Sequence, residues 1–146
     1  MNTQNQQHSC LGEILVVDDA PVNLKLLATL LRRENYSIRC ATGGAMALRS
    51  AQDSPPDLIL LDITMPDMDG YEVCRRLKAE PGTAKIPVIF VSALDAVEEE
   101  ERVRAAGGIG YIRKPYRIQD VLVSVQNVFK SVSTHTSPIC ASFANA

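Results

Sequence analysis

The sequence lacks the features that would indicate a membrane protein, a secreted protein or a nucleic-acid-binding protein. Its apolar runs are short, far below the ~20 residues that a helix needs to cross a bilayer. Residues 1–10 carry neither the basic start nor the apolar stretch of a signal peptide. The net charge is −2, so no basic excess favours nucleic acid. We therefore expect a cytoplasmic protein that binds neither membranes nor nucleic acid directly.

The cysteine pattern does not indicate a metal site or a disulfide framework. The four cysteines are Cys10, Cys40, Cys74 and Cys140, and no two of them form a C-x-x-C pair. We expect reduced thiols without a chemical role. Cys40 and Cys74 are expected to pack in the core as small apolar side chains.

The length of 146 residues fits one domain between two polar ends. Residues 1–12 and 132–146 are rich in small and polar residues without periodicity, which predicts flexible tails. Across residues 13–131, five strand patterns alternate with five helix patterns. Such alternation is typical of parallel strands that are joined by helical crossovers.

The composition of the five strand patterns predicts their order in the sheet. Ile14–Val17, Leu58–Leu61 and Ile86–Val91 are uninterrupted apolar runs, as in central strands covered on both faces. Tyr36–Cys40 and Tyr111–Ile112 are more polar, as expected of edge strands. We therefore predict an α/β fold, a flavodoxin-like (βα)5 doubly wound parallel sheet with strand order 2-1-3-4-5.

Polar side chains follow four of the five predicted strands. Asp18 and Asp19 follow the first strand, Asp62 the third, Ser92 the fourth and Lys114 the fifth. In an open α/β sheet, ligands bind at the carboxyl ends of the strands, near the point where the strand order reverses. We expect these five residues to share one edge of the sheet and to form the functional site.

Three carboxylates at close range repel one another, and a hard divalent cation relieves that repulsion. A small set of oxygen ligands on loops favours Mg²⁺, which keeps several of its waters. We expect Asp19 and Asp62 to bind Mg²⁺ directly and Asp18 to act through a water molecule. The backbone carbonyl of Thr64, in the loop after Asp62, is the expected further ligand.

A carboxylate in this setting is also a nucleophile that can form an acyl phosphate. Phosphoryl transfer depends mainly on positioning and on neutralising charge. Mg²⁺ and the Lys114 ammonium would neutralise charge on the phosphoryl group. The Ser92 hydroxyl would donate a hydrogen bond to a phosphoryl oxygen.

The segments that carry these residues resemble the response-regulator receiver family of two-component signalling. The resemblance covers residues 12–131 and rests on four motifs. These are ILVVDD at 14–19, LILLDITMPDMDG at 58–70, VIFVSA at 88–93 and YIRKP at 111–115.

The resemblance implies that Asp62 accepts a phosphoryl group from a phosphohistidine on a histidine kinase or a histidine phosphotransfer protein. It also implies that Asp18 and Asp19 hold Mg²⁺, that Lys114 contacts the phosphoryl group, and that Ser92 and Tyr111 move together as a switch. The chain would catalyse only its own phosphorylation and dephosphorylation, and so would not be an enzyme acting on an external substrate. Its output would pass to a downstream protein or to a covalently linked output domain.

The switch is expected to act through the helix at residues 94–106, which has few apolar anchors. Glu98–Glu101 in this helix are expected to form a solvated face. We hypothesise that the surface of this helix, the last strand and the last helix changes its affinity for a partner upon phosphorylation.

Three alternative functions remain open at this stage. A pseudo-receiver that acts only as a protein-docking module is disfavoured because Asp62, Ser92 and Lys114 are all present. A phosphohydrolase of the haloacid dehalogenase type would carry a second acid at position 64, where the sequence has Thr64. A flavin binder would have a phosphate-binding loop after the first strand, where Asp18 and Asp19 would repel a phosphate.

Overall fold

The computed structural model describes residues 10–93 and 96–134, which form five strands and five helices in strict alternation. In chain order these elements are β1 (Gly12–Val17), α1 (Pro21–Arg33), β2 (Tyr36–Ala41), α2 (Gly44–Asp53), β3 (Leu58–Asp62), α3 (Gly70–Ala79), β4 (Val88–Ser92), α4 (Ala96–Ala106), β5 (Gly110–Arg113) and α5 (Ile118–Thr134).

The strands form one parallel sheet in the order β2-β1-β3-β4-β5, as the sequence predicted. The crossover from β2 to β3 passes over β1, so the order reverses between β1 and β3. These two strands are paired, with Val17 opposite Leu61. The residues that follow β1 and the end of β3 therefore meet at the switch point, where ligands of doubly wound sheets bind.

Alternate residues of the central strands point to opposite faces of the sheet. One face packs against the buried sides of α2, α3 and α4 in a continuous apolar core. The strand residues in that core are Leu15, Val17, Ala41, Ile59, Leu61, Val88 and Phe90. The core fixes the positions of the strand ends, and through them the positions of the site residues.

The contacts within the chain define two compact units, one that ends at Lys114 and one that begins at Pro115. The whole sheet and α1–α4 belong to the first unit. The second unit contains α5, in which the buried residues Val121, Val125 and Val128 recur at helical spacing.

Several helix boundaries follow the local signals in the sequence. Pro21 lies in the first turn of α1. The side chain of Asp69 caps α3 by accepting a hydrogen bond from the backbone N–H of Glu72 at 2.9 Å. Gly107 follows α4 with a φ of 104°, a conformation that suits glycine.

The predicted tails coincide mostly with residues outside the described part of the chain. Residues 1–9 and 135–146 lie outside it, as do Leu94 and Asp95 at the predicted start of the fourth helix. The last helix continues to Thr134, three residues past the boundary predicted at 131.

Two predictions about burial were wrong. Cys40 is exposed, because β2 is an edge strand and Cys40 falls on a solvent-facing position of it, whereas Cys74 is buried as predicted. Glu99 is also buried, because it lies one turn before the buried Val103 on the inward face of α4. Glu99 therefore does not belong to the solvated face that was predicted for this helix.

None of the helices within residues 10–93 and 96–134 combines the length and the apolar character that a membrane crossing requires.

Candidate functional site

Three aspartates converge where β1 and β3 end side by side. Asp18 and Asp19 follow β1, and Asp62 is the last residue of β3. One carboxylate oxygen from each lies within 4.8 Å of the others. Asp18 and Asp62 are buried, whereas Asp19 is exposed and opens the cluster to solvent. The predicted clustering of these three carboxylates is confirmed.

Lys114 brings a positive charge to the same place. Its backbone N–H donates to the carbonyl of Ser92 at 2.7 Å, which fixes Lys114 beside the end of β4. Its Nζ lies 3.3 Å from Oδ2 of Asp18 and 3.6 Å from Oδ1 of Asp62. The lysine ammonium is thus shared between two of the three carboxylates.

The Asp18 carboxylate is held by further hydrogen bonds from the N-cap residue and the first turn of α1. The backbone N–H of Ala20 donates to Oδ1 at 2.9 Å, and Nδ2 of Asn23 donates to Oδ2 at 3.2 Å. Asn23 is not among the site residues predicted from the sequence. Asn23 lies five residues after Asp18, in the first turn of the helix that Pro21 begins. This spacing could have indicated a contact with Asp18.

The electrostatics of the cluster are most evident at Asp62. The pKa of the Asp62 carboxyl is raised from 3.8 to about 6, chiefly by burial; the Lys114 charge opposes this rise, and the neighbouring Asp18 and Asp19 charges add to it. The ionised form of Asp62 is therefore disfavoured in the folded protein, even with a lysine beside it. A group with this environment in an open site is typical of a functional residue.

The donor set of the cluster fits a hard divalent cation. All three side chains offer carboxylate oxygens, close enough together to share one ion. Such an ion would offset the carboxylate repulsion that adds to the effect of burial on the Asp62 pKa. The cluster contains no histidine or cysteine that would favour a softer metal.

The loop between β3 and α3 begins directly after Asp62 and depends on a glycine. Gly70 donates its N–H to the Ile63 carbonyl at 2.8 Å. A Cβ at position 70 would lie 2.4 Å from the backbone oxygen of Asp62 and 2.9 Å from Cα of Ile63. Only glycine lets the loop approach the end of β3 this closely.

Asp67 attaches the same loop to a neighbouring helix. Its carboxylate accepts hydrogen bonds from the backbone N–H groups of Gly44 at 3.1 Å and Ala45 at 3.0 Å, in the first turn of α2. These hydrogen bonds lower the pKa of Asp67 below its usual value. Thr64 lies exposed in this loop, and the role of its carbonyl as a metal ligand stays a prediction.

The predicted switch residues occupy different levels of the sheet. Ser92 is the last residue of β4, is 2 % exposed and lies one residue beyond Val91, the partner of Asp62. Tyr111 lies in β5 and pairs with Phe90 of β4, two residues before Ser92 at the end of that strand. Its side chain is half-buried and packs against the core. Ser92 therefore lies at the same end of the sheet as Asp62, and Tyr111 lies further back along the strands; the roles of both residues stay predictions.

A groove of about 260 Å³ opens between the end of α4 and β5. Val103, Ile109 and Tyr111 give it apolar walls, and Glu100 and Arg104 carry opposite charges at its border. The side chain of Tyr111 is thus shared between the core and an open groove.

Comparison with known proteins agrees with this geometry. The family model described as "Response regulator receiver domain" matches residues 14–126. Among curated proteins, the response regulator PleD of Caulobacter vibrioides is 43% identical over 112 residues, which are 77% of this chain and 24% of PleD. The polar-differentiation response regulator DivK of Brucella ovis is 34% identical over 114 residues, 78% of this chain and 93% of DivK.

Solved structures give the same result. The signal receiver domain of a signal transduction histidine kinase from Syntrophus aciditrophicus has a TM-score of 0.77 at 34% identity, covering 83% of this chain and 92% of that one. The chemotaxis protein CheY4 of Vibrio cholerae has a TM-score of 0.76 at 26% identity, covering 80% and 97%.

The chain spans about a quarter of the length of PleD and half (52%) of the length of the probable transcriptional regulatory protein TcrX of Mycobacterium tuberculosis. The family match extends over most of the chain and includes Asp18, Asp19, Asp62 and Lys114. This chain therefore belongs to the response regulator receiver domain family.

Proposed function

We propose that this chain is the phosphoacceptor module of a two-component system, and that Asp62 takes a phosphoryl group from a phosphohistidine. The donor would be a histidine kinase or a histidine phosphotransfer protein. The observation that carries the proposal is the convergence of Asp18, Asp19 and Asp62 with Lys114 at the switch point of the sheet. A docking module without phosphoryl chemistry would have no use for this concentration of charge, in which two of the carboxylates, Asp18 and Asp62, are buried.

In the proposed step, an oxygen of the ionised Asp62 carboxylate attacks the phosphorus of the phosphohistidine. A P–O bond forms, the P–N bond breaks, and the imidazole leaves with the bonding electron pair and takes up a proton. Asp62 is an adequate nucleophile at neutral pH because its pKa of about 6 keeps most of it ionised while raising its basicity. No separate general base is needed.

The other side chains of the site stabilise the phosphoryl group. Lys114 moves from the carboxylates to a phosphoryl oxygen, a short displacement for a flexible side chain that already lies 3.6 Å from Asp62. The Ser92 hydroxyl donates to a second oxygen. Mg²⁺, held by Asp18, Asp19 and Asp62 with the Thr64 carbonyl, would supply further neutralisation of charge.

The proposed output surface lies at α4 and β5. Phosphorylation adds nearly two negative charges at Asp62, which draws Ser92 towards the phosphate. Tyr111 could then turn inwards from the groove beside Val103, changing the surface that a partner contacts. The partner would be a downstream protein or a linked output domain. The part of α5 in this surface and the cytoplasmic location stay predictions.

Labelling with acetyl phosphate and Mg²⁺ tests the proposal. We expect the wild type to gain one phosphoryl group that hydroxylamine removes, as it removes acyl phosphates. Asp62→Asn should abolish the gain, and Asp53→Asn, which changes an exposed aspartate of α2, should leave it intact. If Asp62→Asn is labelled as well as the wild type, the proposed acceptor is wrong. If the wild type is not labelled at all, a docking function is favoured.

The switch is tested separately by amide NMR of the wild type with Mg²⁺ and beryllofluoride. We expect shifts in α4 and β5 as well as at the site. Shifts confined to the loops around Asp62 would contradict the proposed output surface.

A further inference from the structure

The Lys114 ammonium has two competing positions in the proposed reaction. In the structure it lies 3.3 Å from Oδ2 of Asp18 and 3.6 Å from Oδ1 of Asp62. A phosphoryl group on Asp62 needs this ammonium, but Asp18 also attracts it. The rate of phosphorylation therefore depends on how readily Asp18 releases Lys114.

Releasing the lysine would be unfavourable if it left a buried carboxylate oxygen without a donor. Asp18 is 5 % exposed, so water does not readily replace a lost partner. Its Oδ1 keeps the backbone N–H of Ala20 at 2.9 Å whatever Lys114 does. The oxygen at risk is Oδ2, which is the one that Lys114 contacts.

Asn23 donates to that same oxygen. Its Nδ2 lies 3.2 Å from Oδ2 of Asp18, nearly the same distance as the lysine ammonium. The amide is neutral, so it satisfies the oxygen without adding a cation that would compete with Mg²⁺. It is also fixed by the first turn of α1, where the backbone N–H of Asn23 bonds the Ala20 carbonyl at 3.1 Å.

We propose that Asn23 is a positioning residue that keeps Oδ2 of Asp18 hydrogen-bonded and so releases the Lys114 ammonium to the phosphoryl group on Asp62. The inference rests on the proposed phosphoacceptor function. Without Asn23, Lys114 remains on Asp18 for a larger fraction of the time and reaches the phosphoryl group less often.

Asn23→Ala removes the amide and retains a residue that favours helix, so the fold is expected to persist. A hydrogen bond to a charged group is strong enough that its loss should slow phosphorylation by acetyl phosphate about 5- to 10-fold. Val22→Ala is the matched control, since Val22 is the preceding residue of α1 and is 78% exposed. An Asn23→Ala protein that is phosphorylated at the wild-type rate would overturn the inference.

A double variant separates positioning through Lys114 from a general effect on the site. If Asn23 acts by releasing Lys114, then Asn23→Ala should have little further effect on the rate in a Lys114→Ala background. An equal loss of rate in both backgrounds would show that Asn23 acts without Lys114, and would contradict the proposal.

A second measurement requires neither metal nor phosphorylation. In the Mg²⁺-free protein at fixed pH, hydrogen exchange of the Lys114 Nζ protons should be several-fold slower in Asn23→Ala, because the ammonium is held longer on Asp18. Unchanged exchange, with Val22→Ala as reference, would refute the competition between Asn23 and Lys114. This result stands even if the wild type accepts no phosphoryl group, so failure of the proposed function and failure of this inference are distinguishable.

Discussion

The clearest quantitative prediction concerns the stability of the protein without metal when Asp62 is replaced by asparagine. Burial and two neighbouring carboxylates raise the Asp62 pKa from 3.8 to about 6 despite Lys114. The charged form is therefore less favourable in the folded state than in the unfolded chain. Asparagine has nearly the shape of the protonated acid and carries no charge, so Asp62→Asn should stabilise the metal-free protein at neutral pH.

The pKa change gives the magnitude and the pH window of this effect. A pKa difference of this size corresponds to about 2–3 kcal/mol of stability that the wild type lacks at pH 7. The folded state binds the proton more tightly, so wild-type stability rises as pH falls from 6 towards 3.8. The advantage of Asp62→Asn should be complete above pH 6 and fall to roughly half near pH 5.

Urea unfolding in EDTA, followed by circular dichroism at several pH values, measures the difference. With a slope of about 1–3 kcal/mol per molar urea, the midpoint of Asp62→Asn should exceed that of the wild type by about 1–2 M at pH 7. Mg²⁺ should raise the wild-type midpoint and narrow the gap, because the ion binds only the folded protein. Asp53→Asn should unfold like the wild type.

The reasoning would be refuted if Asp62→Asn were no more stable than the wild type at pH 7 in EDTA. It would also be refuted if the difference between the two proteins were the same at pH 5 and pH 7. In either case burial and the neighbouring carboxylates would not disfavour the charge on Asp62, and the electrostatic basis for a cation site would be lost.

Three further substitutions test other parts of the structure. Gly70→Ala places a Cβ 2.4 Å from the Asp62 carbonyl oxygen and should lower the free energy of unfolding by about 1–3 kcal/mol, whereas Gly82→Ala, with open space around it, should change it by less than about 0.5 kcal/mol. Glu99→Leu replaces a buried carboxylate, of which Oε1 has no hydrogen-bond partner in the described part of the chain and Oε2 lies 3.6 Å from Arg102. This substitution should raise the free energy of unfolding in urea by about 1–2 kcal/mol. A lower free energy of unfolding would show that the ion pair with Arg102 stabilises the protein by more than the burial of the carboxylate costs. Asp67→Asn should destabilise the protein at pH 7, because the charged carboxylate accepts hydrogen bonds from two backbone N–H groups of α2. Since these bonds lower the pKa of Asp67 in the folded state, the difference in thermal stability between variant and wild type should disappear as pH falls below about 4. A difference that does not change with pH would contradict this prediction.

The sequence predicted the fold correctly because each of its signals is local. The apolar runs at Ile14–Val17 and Leu58–Leu61 indicate central strands on their own, and the alternation with helices restricts the topology to parallel crossovers. Once the order 2-1-3-4-5 follows, the residues after β1 and at the end of β3 must be neighbours. The position of Asp18, Asp19 and Asp62 at one site was therefore predictable without coordinates.

The errors lie where burial depends on a neighbouring element. Cys40 was expected in the core, but an edge strand leaves every second side chain to solvent. Glu99 was expected in water, but α4 turns that position inwards with Val103. Composition alone does not determine which side of an element a neighbour covers.

The sequence alone determined the order of the strands and the residues at their carboxyl ends, because apolar runs and helical periodicity are properties of short segments. The tertiary structure decided the finer arrangement. It alone placed Asn23 and Lys114 on the same oxygen of Asp18, and the Asp67 carboxylate against the first turn of α2. Lys114 and Asp18 are 96 positions apart in the sequence, and Gly44 and Asp67 are 23 positions apart. Such distances are set by how strands and loops pack in three dimensions, to within a fraction of an ångström, and no local pattern specifies them.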